Sequence, residues 1–170
     1  MELTQEAETR ILEQFGKATL RAGQRQLIEL VLAGHNALGV LPTGHGKSLC
    51  YQAAAELLGG TSVVVSPLIA LMRDQCEALR QLGISAARFD STLDDEARNA
   101  VLAGLAQGAL RILFVAPESL ENRDLQQALQ QRRITLLVVD EAHYVKNPDA
   151  QRTVAMQKLL NKTEGVLYMS

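Results

Sequence analysis

The chain alternates short apolar runs with longer amphipathic ones. Residues 36–41, 62–66, 86–89, 111–115, 135–140 and 166–169 are brief, and most are rich in Val, Leu and Ile. Runs of this kind suit strands covered on both faces, as in a parallel sheet. Between them, residues 23–33, 47–58, 68–82, 94–107, 118–130 and 150–160 carry helix patterns. Thr92 or Asp94 is placed to cap the fourth of these helices, with Glu96 near its start. Gly59, Gly60 and Gly83 stop the second and third. Strand, helix and strand in repetition predict right-handed crossovers and a three-layer α/β domain with a mostly parallel central sheet. The chain shows no repeat, low-complexity stretch or internal linker.

Composition narrows the class. A chain of 170 residues is expected to form one domain. The content is 47% hydrophobic and 4% aromatic, with no Trp, which fits an aliphatic α/β core. The net charge of -2 gives no global basic field, so any nucleic-acid binding must use local Lys and Arg. Cys50 and Cys76 lack metal-ligand spacing and sit in apolar helical patterns, which predicts buried, reduced thiols. The N-terminus is acidic and polar, unlike a signal peptide. No apolar stretch approaches the roughly 18 residues that span a bilayer. The expectation is a soluble, cytoplasmic protein with no membrane partner.

Two motifs carry the chemistry. Residues 41–48 read Leu-Pro-Thr-Gly-His-Gly-Lys-Ser at the end of the first strand. In the loop Thr43, Gly44, His45, Gly46, Lys47 and Ser48, the glycines let backbone N–H groups face phosphate oxygens. The helix starting near Lys47 adds its positive end. Lys47 is expected to reach the β- and γ-phosphates of ATP, and the Ser48 hydroxyl to ligate Mg²⁺. The strict pattern wants Gly where Leu41 stands. The side chains of His45 and His35 read as incidental loop groups. Asp140 and Glu141 end the fifth apolar run: Asp140 is expected to hold Mg²⁺ through water, and Glu141 to polarise the attacking water. His143 reads either as a coupling residue or as a hydrogen-bonded loop histidine. Ligands of such sheets bind outside the carboxyl ends of the strands, which puts both motifs on one rim.

Residues 15–16 with 20–24, then 41–52 (LPTGHGKSLCYQ), 63–75 (VVVSPLIALMRDQ), 114–120 (FVAPESL) and 138–143 (VVDEAH) are similar to superfamily 2 helicases, most closely the RecQ-type DNA helicases. That family tolerates a non-Gly residue at the position of Leu41. The resemblance implies a single RecA-like P-loop domain over residues 1–170, with a helical adenine-recognition segment over 1–33. It implies that Gln24 reads the adenine edge and Arg21 packs against the base. It implies that Ser66, Pro67 and Leu68, with Arg73 on the helix behind, line a path for single-stranded DNA. Its overall implication is an ATP-dependent DNA helicase, using ATP and Mg²⁺.

The sequence also departs from the RecQ pattern. Lys17 stands where an aromatic often stacks on adenine, Leu20 where many members are bulkier, and Ser119 where the family has Arg. After His143 the chain reads Tyr-Val-Lys-Asn-Pro instead of an aromatic-rich loop, and this stretch resembles the Swi/Snf-type double-strand translocases. The alternatives are therefore such a translocase domain, a non-catalytic nucleotide-binding fragment, or an engineered hybrid. Both families continue past the position of Ser170 into a second RecA-like domain that supplies arginine fingers. Such a finger is worth roughly 10³–10⁵ in rate. The isolated chain is therefore expected to bind ATP with Mg²⁺ and to hydrolyse it poorly.

Overall fold

The computed structural model describes residues 1–39, 46–140 and 150–169. Two helices lead the chain, α1 (Gln5–Phe15) and α2 (Ala22–Leu32). They are followed by β1 (Ala37–Gly39), α3 (Lys47–Leu58), β2 (Thr61–Val65), α4 (Ile69–Gln81) and β3 (Ala86–Phe89). Next come α5 (Asp95–Ala106), β4 (Ile112–Val115), a 3-10 turn (Pro117–Glu121) and α6 (Arg123–Gln130). β5 (Ile134–Val139), α7 (Ala150–Lys162) and β6 (Val166–Met169) complete it. The strands form one sheet in the order β1-β6-β5-β2-β4-β3, and every pairing is parallel.

The strands are mostly apolar because helices cover both faces of the central sheet. Val64, Ile112, Phe114, Leu136 and Val138 point to one face, where they meet Leu27 and Val31 of α2, Tyr51 and Ala54 of α3, and Met72, Cys76 and Leu79 of α4. The alternating set Val63, Val65, Leu113, Val115, Leu137 and Val139 meets Leu105 of α5, Leu125 and Leu129 of α6, and Met156 and Leu159 of α7. This period-two division is what a parallel sheet sandwiched between helices requires. It makes the three-layer α/β, RecA-like architecture explicit. A smaller cluster, with Ile11, Leu20, Ile28, Leu32, Leu49 and Ala53, fastens α1 and α2 to α3.

Local signals explain the boundaries. Asp94 caps α5, its carboxylate accepting from the Ala97 N–H at 2.8 Å. Thr92 is used differently, donating its N–H and its hydroxyl to Asp90. Gly59 ends α3 with φ 71°, in the left-handed region that favours glycine. One predicted helix is corrected. The pattern over 118–130 is a 3-10 turn and a separate helix, broken at Asn122. Asn122 is extended (φ -66°, ψ 122°), and its side chain accepts from the Leu125 N–H at 3.0 Å. An Asn that can cap a new helix outcompetes continuation of the old one. The last two residues of the first predicted strand, Val40 and Leu41, lie outside the described residues. Cys50 and Cys76 are buried free thiols, and burial pushes Cys50 up to about 11. Among the described residues no helix is long and apolar enough to cross a membrane.

Candidate active site

Parallel register lines up the carboxyl ends of the strands. Tyr168 pairs with Val139, Val139 with Val65, Val65 with Val115, and Val115 with Phe89. The next residue of each strand therefore falls in one row: Met169, Asp140, Ser66, Ala116 and Asp90. Neighbouring strands stand about 4.8 Å apart. Hydrogen bonds carry the ladder into this row. The Asp140 N–H donates to the Val65 carbonyl at 2.8 Å, Ser66 N–H to Val115 at 3.1 Å, and Ala116 N–H to Phe89 at 3.2 Å.

Asp140 is held by its backbone at the end of a fully buried strand and is itself 5% exposed. The Lys47 ammonium lies 2.7 Å from one of its carboxylate oxygens. Two residues far apart in sequence thus converge at the rim, one from the first turn of α3 and one from the end of β5. Gly46 precedes Lys47 at φ 76°, where L side chains are strained. A Cβ there would lie 2.0 Å from Gln24 Nε2. Gln24 packs on this glycine because its Nε2 donates to the Gly46 carbonyl at 3.2 Å. Its Oε1 accepts from the Arg21 N–H at 2.9 Å, so Gln24 also ties back the start of α2. Gln24 is buried; the Arg21 side chain stands in solvent.

Ser48 occupies the first turn of α3. Its hydroxyl oxygen accepts from Gln75 Nε2 of α4 at 2.8 Å, and Gln75 Oε1 accepts from the Tyr51 hydroxyl at 2.6 Å. Burial, with the Asp140 charge nearby, pushes the Tyr51 phenol far up, so it stays a neutral donor. Further along the rim, Ser66 Oγ accepts from the Leu68 N–H at 3.2 Å, tightening the turn into α4. Pro67, Leu68 and Arg73 are exposed beside it. At the far end of the row Asp90 is wholly buried and paired with Arg88 at 2.6 Å. Burial pushes the Asp90 carboxyl up, but hydrogen bonds from Thr92 and Arg88 outweigh it and hold the group below its ordinary value.

Thr43, Gly44, His45, Glu141 and His143, together with the stretch after His143, lie outside the described residues. The described residues bring Gln24, Gly46, Lys47, Ser48 and Asp140 to one end of the sheet, with Ser66, Pro67 and Leu68 beside them. Gln75, Tyr51 and Asp90 carried no role in the sequence reading. Gln75 could have been noticed as a polar residue next to the buried stripe Met72, Cys76 and Leu79. Tyr51 is the one aromatic in an Ala-rich helix.

The donor set defines what the place can hold. An amine and the amino end of a helix attract an anion. A hydroxyl and a carboxylate are hard oxygen ligands. Two such oxygens suit Mg²⁺, which takes one or two protein oxygens and fills its shell with water and phosphate.

Comparison with known proteins follows the same lines. The family model for the DEAD/DEAH box helicases matches residues 21–170. An ATP-dependent DNA helicase RecQ of Bacillus subtilis (strain 168) is 39% identical over 140 residues, covering 82% of this chain and 24% of that protein. Its namesake from Haemophilus influenzae is 38% identical over 131 residues, covering 77% and 21%. The one from Synechocystis is 36% identical over 164 residues, covering 92% and 34%. The chain thus spans a fifth to a third of the length of these relatives. A match to 92% of the chain reaches into the stretch after His143. Nothing in these matches favours the Swi/Snf-type alternative over the RecQ-type one.

Proposed function

This chain belongs to the DEAD/DEAH box helicase family, as a RecQ-type domain, and from that membership we propose that it is the ATP-binding domain of an enzyme coupling ATP hydrolysis to movement on DNA. The observation that carries the reading is the meeting of Lys47 and Asp140 at 2.7 Å. Lys47 would serve the β- and γ-phosphate oxygens of ATP, whose charge exceeds that of one carboxylate. The hydroxyl of Ser48 would hold Mg²⁺ and Asp140 would hold it through water; the ion would supply charge neutralisation to the phosphates.

The remaining roles fall to this chain's own residues. The backbone of Thr43, Gly44, His45 and Gly46 cradles the phosphates, and Glu141 polarises the attacking water. Gln24, held between Arg21 and Gly46, reads adenine. His143 couples the site to its surroundings. Single-stranded DNA crosses the same rim at Ser66, Pro67, Leu68 and Arg73, bound mainly through its phosphates. Residues 1–170 act as one RecA-like unit, in which residues 1–33 carry the adenine-recognition segment. A second RecA-like domain completes the catalytic site with an arginine finger. The protein works in the cytoplasm or nucleoid.

Calorimetric titration with ATP and Mg²⁺, with and without a DNA oligonucleotide, tests this. Lys47→Ala is expected to abolish nucleotide binding while circular dichroism shows the fold retained. Unchanged affinity in that variant would refute the site. DNA binding is expected to be weak and salt-sensitive with a shallow slope, since few Lys or Arg line the rim.

A further inference from the structure

We propose that Gln75 is a positioning residue for Ser48: from α4 its side-chain amide fixes which side of the Ser48 hydroxyl is left for Mg²⁺. The inference rests on the reading that Ser48 ligates the metal. Four observations carry it. Tyr51 is 1% exposed and stands edge-on to Phe114, with ring centroids 6.5 Å apart and planes at 73°. Its ring is packed into the core, and its hydroxyl is aimed at Gln75 Oε1 at 2.6 Å. Gln75 Nε2 lies 2.8 Å from Ser48 Oγ. Gln75 is half-buried where α4 and α3 share one face of the sheet.

A carboxamide has an accepting end and a donating end. In the arrangement present, Tyr51 donates to Oε1, the –NH₂ end faces Ser48, and Ser48 accepts. A serine hydroxyl has two lone pairs and one hydrogen. With one lone pair committed to α4, the other lone pair and the hydrogen are turned away from Gln75. A serine ligand offers an oxygen lone pair to the metal, so the amide removes the competing rotamers that would misdirect it. A glutamine that only filled the gap between α3 and α4 would support the fold and leave metal affinity untouched.

The test measures binding of a fluorescent ADP to the 170-residue chain in EDTA and in excess Mg²⁺; the ratio is the gain that Mg²⁺ confers. In Gln75→Met, which keeps the bulk and removes both hydrogen bonds, the gain is expected to fall about 10-fold or more, as for other residues that orient metal ligands. Affinity in EDTA is expected to hold. Gln75→Met leaves the Tyr51 hydroxyl without its acceptor, so Gln75→Met/Tyr51→Phe is measured beside it, with thermal melting of both. The same fall is expected in the double variant. Combined with Ser48→Ala, Gln75→Met is expected to add nothing, because the group it positions is gone. A Mg²⁺ gain that is unchanged in both Gln75 variants, or equal weakening with and without Mg²⁺, would overturn the positioning role while leaving the site standing. A Mg²⁺ gain untouched by Ser48→Ala alone would sink the underlying site assignment, and this inference with it.

Discussion

At the scale of single residues, two positions concentrate the physics of the rim. Gly46 combines a left-handed backbone with Gln24 packed where a Cβ would sit. Gly46→Ala is expected to destabilise the fold by roughly 1–2 kcal/mol for the backbone alone. A further part comes from displacing Gln24, and that part should vanish in a Gln24→Ala background; a denaturant-melt cycle would measure it. The second position is Asp90. Its carboxyl is held below the ordinary value in the folded chain, so the unfolded state binds the proton more readily. Asp90 therefore contributes stability that is present above the unfolded value, about pH 4, and lost as pH falls through the depressed folded value. Asp90→Asn is expected to flatten the acid side of the stability profile, in urea melts taken from pH 6 downward. An unchanged profile would show that the pairing with Arg88 and Thr92 does not favour the ionised form. The meeting of Lys47 and Asp140 was legible in the sequence because each sits in a local motif: a glycine-flanked amine, and an acid closing an apolar run. The network from Tyr51 through Gln75 to Ser48 was not, because periodicity places Gln75 beside the buried stripe of α4 without saying which residues of α3 it meets.

At the scale of elements, the apolar runs and helical patterns placed all six strands and the helices from α2 onward to within a few residues. The alternation is strong because the central strands β2, β4 and β5 are buried on both sides. The failure at Asn122 has a physical cause. Apolar spacing continues across the 3-10 turn into α6, as Leu120, Leu125 and Leu129 all reach the core, so periodicity cannot see the break. The signal lay in capping chemistry instead. Asn122→Ala removes the acceptor for the Leu125 N–H and is expected to cost about 1 kcal/mol. The change should appear as a lower melting midpoint with no change in nucleotide affinity, since α6 packs on the face of the sheet away from α3.

At the scale of the whole molecule, on the proposed reading, the chain offers one face of a catalytic site. The 170 residues span a fifth to a third of the relatives they match. With the arginine finger assigned to a second domain, single-turnover hydrolysis by this chain is expected to run roughly 10³–10⁵ slower than in a two-domain enzyme. Burst-free, Glu141-dependent turnover at that level in a quenched-flow assay would fit; two-domain speed from these residues alone would contradict it. The contact between Lys47 and Asp140 has a consequence for the resting protein. A phosphate that draws on the amine and a cation that draws on the acid would compete with one and the same ion pair, so the arrival of either is expected to ease the arrival of the other, a thermodynamic linkage that nucleotide titrations at several Mg²⁺ concentrations would read.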